Sequence, residues 1–325
     1  MRFVTLLALA LLASLAVAIA FGETGLGAAQ YAAAFAHPAS APGEILWSLR
    51  APRAVAAGLV GAELGLAGAV MQGLLRNPLA DPGVLGVSAF AAFGAAGVIA
   101  VGFAGSPGMV EAAAMVGALA AGALVAVLAA YLREPETLVL FGVALSAMGG
   151  ALTALVFNLS PSPVTTSEVM NWLLGSAAGR GWNDIALAAL PTAVGALLSA
   201  YAARGLSMLS LGEETAALSG LPMARLRVAA VAGAALLTGA AVAMAGVIGF
   251  VGLAAPHLVR GSVSDDPAKA LVPSALIGAI LLVLADLAAR MIPTEQELKL
   301  GVVTALFGAP LFAVLAWRAA RSWRA

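Results

Sequence analysis

The chain has 325 residues, of which 62% are hydrophobic and only 10% are charged, and its formal net charge is zero. Soluble domains carry about 25% charged residues, so this composition excludes a soluble domain, and the lack of a basic stripe argues against nucleic acid as a partner. The chain contains no cysteine, which excludes disulfides and thiolate metal sites, and no cofactor is expected.

Apolar segments recur along the whole chain at the length that about 20 helical residues need to cross a hydrocarbon core of ~30 Å. We therefore predict an all-α, polytopic membrane protein that forms one transmembrane domain over residues 1–325. The ten predicted crossings are 2–21, 53–74, 84–103, 109–131, 138–158, 183–203, 227–244, 246–261, 271–291 and 300–317. The seventh and eighth come from one apolar run that we divide at Gly246.

The basic residues indicate the orientation. With the N-terminus inside, eleven of the 16 Lys and Arg residues lie on the cytoplasmic side, so both termini are predicted to be cytoplasmic. Three outer arginines, Arg50, Arg53 and Arg290, lie against this bias and suggest an acidic partner on that face. The alternative is local pairing, with Glu44, Glu295 and Glu297 as candidate partners.

The sequence RNPLADPG at 76–83 must interrupt the helices on either side, because each proline lacks a backbone donor and biases the preceding residue away from helix. Broken backbone at membrane depth is tolerated where it is buried in protein or lines a water-filled route. Asn77, Pro78 and Leu79 are therefore candidates for a gate at the inner mouth of such a route. The alternative is an ordinary cytoplasmic turn.

Glu63 and Asp286 are ionisable residues inside predicted crossings, so each is expected to face protein or water. Glu63 either contacts the translocation route or is protonated or hydrogen-bonded inside the bundle. Met71 and Gln72, on the same predicted helix, are further candidates for the route, and simple packing is the alternative for Met71. Residues 159–182 are too polar to span the membrane and predict an interfacial half-helix anchored by Trp172 and Trp182.

The segment 204–227 is a markedly polar interruption of the apolar chain. Ser210 and Glu213 have capping-box spacing and Gly220 with Pro222 forms a stop signal, so we predict one short helix. Leu211, Thr215 and Leu218 would lie on one face of it. A helix of about nine residues is marginal alone in water, so we expect a partner surface; the alternative is an ordinary capped loop helix.

Seven ordered blocks resemble the iron-siderophore, haem and cobalamin uptake permeases of ABC importers. These blocks are RAPR at 50–53, GAVMQGLLRNPLADPGVLGVS at 68–88, NWLLGSAAGRGW at 171–182, LSLGEETAALSGLP at 209–222, GVIGFVGLAAPHLVR at 246–260, ADLAAR at 285–290 and GVVTALFGAPLF at 301–312.

The resemblance implies a type II importer permease of ten helices in the bacterial inner membrane. It implies a homodimer around one central route, two cytoplasmic ATP-binding subunits and a periplasmic substrate-binding protein. By similarity, Arg50, Arg53 and Arg290 would dock the binding protein, and Asn77 and Leu79 would lie at the cytoplasmic gate. The residues similar to the family's ATPase-coupling segment are Leu209, Ser210, Leu211, Gly212, Glu213, Glu214, Thr215, Ala216, Leu218, Gly220, Leu221 and Pro222.

The block at 171–182 is closer to siderophore and haem members than to cobalamin members, so an iron complex is the expected substrate and cobalamin the alternative. The chain has no Walker-type glycine loop, so it is not expected to hydrolyse ATP itself. An alternative of another class is a proton-driven secondary transporter that uses Glu63 and Asp286. A weak echo between GAELGLAGAVMQG and GAAVAMAGVIGFVG would suit inverted repeats under either interpretation.

Overall fold

The fold is known from a computed structural model that describes residues 2–22, 24–103, 105–106, 108–131, 135–160, 162–292 and 297–322. All the regular structure within these ranges is helical, which confirms the predicted all-α class.

The helices follow one another as α1 (Arg2–Ala20), α2 (Ala28–Ala36), α3 (Ala41–Glu44), α4 (Ala51–Leu75), α5 (Val87–Ala100), α6 (Met109–Tyr131), α7 (Pro135–Leu159), α8 (Pro163–Leu173), α9 (Trp182–Leu209), α10 (Glu213–Leu218), α11 (Met223–Ala245), α12 (Val251–Val259), α13 (Pro267–Met291) and α14 (Leu300–Ser322). A π-helical turn, Ile45–Arg50, joins α3 to α4, and 3₁₀ turns follow at Pro82–Leu85 and Arg260–Ser262.

Seven of the described helices are long and apolar enough to cross a membrane, so the predicted number of about ten crossings is not confirmed. Helix α5 and the apolar part of α14 are shorter than a full crossing. Helix α12 has nine residues and rises about 14 Å, so the predicted crossing at 246–261 is helical over only part of its length. The predicted break at Gly246 is confirmed, because α11 ends there with Gly246 at φ 74°.

Two helices differ most from the predicted bounds. The second crossing starts as a helix at Ala41 rather than 53. Pro52 lacks a backbone donor, and the π-helical turn Ile45–Arg50 before it lets the helix continue through this position. Helix α9 continues through Arg204 to Leu209, six residues beyond the predicted end of the sixth crossing. Helix α8, capped by the Ser162 side chain, confirms a helix within residues 159–182.

Helices α4 and α11 form the centre of the bundle, and most of each is buried. Glycines let α4 lie directly against α13: a Cβ on Gly61 would be 2.2 Å from the Gly278 carbonyl oxygen, and one on Gly65 would be 2.3 Å from that of Ser274. This is the small-residue packing expected between membrane helices. It brings the start of α4 beside the end of α13.

The bundle has two chemically distinct ends. At the Asp286 end, the start of α4 meets the ends of α1 and α13, as the bonds from Arg53 to Asp286 and from Arg290 to Ala18 show. At the Glu213 end, the ends of α4 and α9 meet the start of α13, where Ser207 donates a hydrogen bond to Asp266. Helices α4 and α13 therefore run in opposite directions between the two ends.

Asp266 begins α13 at the Glu213 end. Its carboxylate accepts a hydrogen bond from the Ala268 amide at 3.1 Å and lies 3.3 Å from the Lys269 ammonium group. The Ser207 hydrogen bond, followed by these contacts, lowers the pKa of Asp266. A lowered pKa in the folded state stabilises the fold above the unfolded pKa, and this contribution is lost as pH falls through the folded pKa.

We expect Asp266→Ala to lower the free energy of unfolding at neutral pH by about 1–2 kcal/mol, the usual value of a helix N-cap. The difference from the wild-type protein should shrink below about pH 4, where the carboxylate becomes protonated. Thermal unfolding of the detergent-purified protein measures both effects. Asp265→Asn is the control, and an equal loss in that variant would contradict the capping role.

Candidate functional sites

At the Asp286 end, Arg53 makes a two-pronged contact with the buried carboxylate of Asp286. The distances are 3.0 Å from Arg53 Nε to Asp286 Oδ1, 3.1 Å from Nε to Oδ2 and 2.8 Å from Nη2 to Oδ1. Arg53 Nη2 also donates to Glu297, one of the local partners expected from the sequence. Glu295, another of those candidates, lies outside the described residues.

The other two arginines hold the end of α1. Arg50 donates to the carbonyl oxygens of Ala20, at 2.9 Å, and Thr24. Arg290 donates to the Ala18 carbonyl oxygen at 3.1 Å, and its Nε lies 3.1 Å from Asp286 Oδ2. Cations near the C-terminus of a helix interact favourably with its dipole and its unpaired carbonyl groups.

The structure thus brings Arg50, Arg53 and Arg290 together, but each is engaged by groups of this chain. Arg50 and Arg290 are buried, and only 14% of the Arg53 side chain is exposed. Docking of an acidic partner by these arginines remains a prediction. Sequence reasoning missed that Asp286 connects Arg53 and Arg290. Asp286 is 233 residues from Arg53 in the sequence, so no local pattern pairs them.

We expect Asp286→Ala to destabilise the protein by about 3–5 kcal/mol, because it leaves two largely buried guanidinium groups without their shared carboxylate. Glu297→Gln is the matched control: it removes the more exposed partner of Arg53 and should cost less than about 1 kcal/mol. Thermal unfolding of both purified variants measures the difference. Equal midpoints would show that Asp286 does not hold this end together.

At the Glu213 end, α10 forms a short exposed helix between α9 and α11. The predicted capping box is wrong: the N-cap is Gly212 at φ 111°, and the Ser210 hydroxyl donates to the Ser207 carbonyl oxygen at the end of α9. The stop signal is confirmed, since α10 ends at Leu218 and Gly220 has φ 78° before Pro222.

The segment is fixed to the bundle at few points. Ala216 is 1% exposed and packs in the main core, and the Glu213 carboxylate pairs with Arg227 at the start of α11. Leu211 and Leu218 are 72% and 90% exposed. A short helix and its preceding turn that together present two large apolar side chains have the form of a docking element.

The turn after α4 lies at the same end of the bundle. Helix α4 ends in the left-handed residue Arg76 at φ 47°. The Asn77 side chain then accepts from the Leu79 amide at 2.9 Å, and Asp81 caps the 3₁₀ turn by accepting from Gly83 at 2.7 Å. The predicted break of the helix is confirmed, and the gating role of Asn77, Pro78 and Leu79 remains a prediction.

The three candidate route residues on α4 are buried inside the protein. Met71 is part of the main hydrophobic core. The Gln72 side chain donates to the Leu253 carbonyl oxygen at 3.4 Å and accepts from Arg260 at 3.3 Å. Their place in a route therefore remains a prediction.

Glu63 carries the one carboxyl group on α4, and it is 1% exposed. The Thr192 hydroxyl lies 2.6 Å from the Ala188 carbonyl oxygen and is also hydrogen-bonded to Glu63 Oε1. A hydroxyl carries one proton, so the Glu63 and Ala188 oxygens share the Thr192 hydroxyl as their donor. Glu63 Oε2 has no hydrogen-bond partner among the described residues.

Residues 7–318 match the model of the FecCD transport family. The chain is 43% identical to the vitamin B12 import system permease protein BtuC of Vibrio cholerae, over 83% of this chain and 81% of that protein. It is 41% identical to the cobalamin import system permease protein BtuC of Halobacterium salinarum, over 83% and 73% of the two chains. It is 39% identical to the uncharacterized ABC transporter permease protein YvrB of Bacillus subtilis, over 86% and 80%.

The fold also matches a solved structure, described as an inward-facing conformation of a putative metal-chelate type ABC transporter. The TM-score is 0.86 at 30% identity, with 98% of this chain and 99% of that chain covered.

The helical bundle and these matches define a multi-pass membrane permease of the ABC importer class. The chain belongs to the FecCD transport family, which confirms the family resemblance seen in its motifs. In such importers ATP hydrolysis belongs to partner subunits, so this chain is the permease and not the ATPase.

Proposed function

We propose that the chain is the permease subunit of an ATP-driven importer of cobalamin. The observation that carries this proposal is the identity of 43% and 41% to relatives named as vitamin B12 or cobalamin permeases, over 83% of this chain in both cases. An iron complex, such as a ferric siderophore or haem, is the second candidate. The solved neighbour described as a metal-chelate transporter favours it.

In this proposal two copies of the chain form a homodimer around one route in the plasma membrane, which is the inner membrane of a bacterium with two membranes. Two cytoplasmic ATP-binding subunits dock at the Glu213 end, and a substrate-binding protein docks at the Asp286 end. Both termini are then cytoplasmic, in keeping with the distribution of basic residues.

The coupling segment Leu209–Pro222 is proposed to transmit closure of the ATPase subunits to the helices. Helix α10 joins α9 to α11, so movement of α10 acts on two long helices of the bundle. The exposed Leu211 and Leu218 supply the apolar contact, and Ala216 with the Glu213–Arg227 pair fixes the segment to the bundle. The turn at Asn77, Pro78 and Leu79 lies at the same end and is proposed as the gate.

At the Asp286 end, the arginine cluster is proposed to exchange some of its internal partners for carboxylates of the binding protein. Arg53 is the member best placed for this, because its contact with Glu297 is the most exposed in the cluster. Arg50 and Arg290 hold α1 and would support the surface from below.

Leu218→Ser is expected to reduce ATP-dependent uptake at least tenfold while the permease still folds, because the substituted side chain contacts solvent rather than core. Leu190→Ser is the matched control: Leu190 is also highly exposed, but it lies within the apolar helix α9. Co-purification of the ATPase subunit and uptake into proteoliposomes measure the effect. Normal uptake by Leu218→Ser would contradict the coupling role.

Substrate and energy source are tested in cells that lack their own cobalamin permease and express this chain with its partner subunits. We expect uptake of radiolabelled cyanocobalamin that survives collapse of the proton gradient and stops when ATP is depleted. Uptake lost with the proton gradient would favour the secondary transporter. Uptake of ferric siderophore or haem without cyanocobalamin would favour the iron-complex importer.

A further inference from the structure

A cavity of about 500 Å³ lies inside the subunit, bounded by α4, α5, α7, α11 and the backbone that follows α11. Most of its wall is apolar, with Leu64, Phe157 and Ile248 among the larger side chains. Residues with hydroxyl groups from three different helices also line it: Ser88 from α5, Ser146 and Thr153 from α7, and Thr238 from α11.

Two of these hydroxyl groups have no hydrogen-bond partner among the described residues. Thr238 is 1% exposed, and its Oγ1 and the Oγ of Ser146 are both buried and unpaired. By contrast, the Thr153 hydroxyl donates to the Gly149 carbonyl oxygen at 2.9 Å. Burying an unpaired hydroxyl costs about 1–3 kcal/mol, so two such groups in the lining of one cavity point to a place where a polar ligand binds.

The cavity adjoins a larger trough on the surface of the subunit. A second cavity, of about 650 Å³, is lined by α14 and shares Leu173, Val247 and Gly249 with the first. Gly150 and Ala154 line the first cavity and are exposed, so its mouth opens along α7. The wall that contains Ser146 and Thr238 therefore borders space that a molecule can enter from the surface.

The charges of the trough limit what can bind there. Asp81 is the one ionisable side chain among the described residues that line the two cavities, and burial raises the pKa of its carboxyl group. No lysine, arginine or histidine is found in that lining. A buried anion without a cationic partner is costly, so carboxylate and phosphate groups are disfavoured while neutral hydrogen-bonding groups fit.

We propose that this cavity is a subsite for an uncharged, amide-bearing edge of the transported molecule, and that Thr238 and Ser146 supply the hydrogen bonds that select it. The assignment rests on the proposed function and adds a reason to prefer cobalamin, whose corrin ring carries neutral amide side chains, over anionic iron chelates. A primary amide both donates and accepts, as a hydroxyl does. The cavity has the volume of a typical site for a drug-sized ligand. It therefore takes one edge of a corrinoid rather than the whole molecule.

The first test is equilibrium dialysis of radiolabelled cyanocobalamin against the purified permease in complex with its ATPase subunits. Thr238→Val and Ser146→Ala are each expected to raise the dissociation constant about fivefold to tenfold, the effect of one lost hydrogen bond. Ser199→Ala is the matched control, since its buried hydroxyl is paired with the Gly195 carbonyl oxygen at 2.8 Å and lies outside the cavity. Each variant is also checked for its melting temperature and basal ATPase rate.

The second test fills the mouth of the cavity without disturbing the fold. A Cβ on Gly150 would meet nothing within 4 Å, so Gly150→Leu should extend into open space and reduce cyanocobalamin uptake by proteoliposomes at least tenfold. Gly97→Leu is the matched control, because Gly97 is equally uncrowded and lies outside the cavity.

The outcomes separate the subsite from the proposed function. Wild-type uptake of cyanocobalamin, with no binding to the permease or with unchanged binding in both hydroxyl variants, would overturn the subsite and leave the cobalamin importer standing. No cyanocobalamin uptake by the wild-type complex, with transport of an iron chelate instead, would overturn both. Tighter binding of a corrinoid in which one amide is hydrolysed to a carboxylate would also overturn the subsite.

Discussion

The contact between α4 and α13 depends on positions where neither helix has room for a side chain. Gly61 and Gly65 on one helix lie against Gly278 and Ser274 on the other, at distances that exclude a Cβ on either glycine of α4. Inside a membrane the hydrophobic effect contributes little to helix association. The helices are held together by dispersion contacts, which close approach of their backbones allows. The position of the central helix follows from this contact.

The same contact fixes the chemistry at both ends of the bundle. At one end it places Arg53 against Asp286, where a buried carboxylate joins two helices and the carbonyl groups of a third through Arg290. At the other end a Cβ on Gly73 would be 3.0 Å from Pro267, so the end of α4 meets the start of α13 beside Asp266. The three arginines are internal and engaged at the Asp286 end, whereas the α10 segment exposes Leu211 and Leu218 at the Glu213 end. This contrast is why the proposal assigns different partners to the two ends.

Local features of this fold could be predicted from the sequence. The breaks at Gly246 and at Pro78 follow from the backbone properties of single residues, and the glycine stripe on α4 predicts close helix packing. Features that depend on distant partners could not. Hydropathy cannot reveal that α12 has only nine residues, because residues 247–250 are apolar but leave the helix, with Phe250 at φ 68°. The predicted Ser210 cap failed for a similar reason: α9 extends to Leu209, so Ser210 caps the end of α9 instead of the start of α10.

The hydroxyl groups of the cavity are a second case in which the sequence does not predict a functional feature. Ser146 and Thr238 are single polar residues within long apolar helices, where one hydroxyl usually bonds to the carbonyl oxygen four residues earlier, as Ser199 and Thr153 do here. Sequence alone gives no sign that Ser146 and Thr238 lack such a bond. In our proposal these two residues, in a cavity whose described lining has no cationic side chain, separate neutral from anionic substrates more directly than one sequence block at 171–182 can. Substrate choice in this family is therefore better sought in unpaired hydroxyl groups and the charge of the lining than in surface motifs shared by permeases of different substrates.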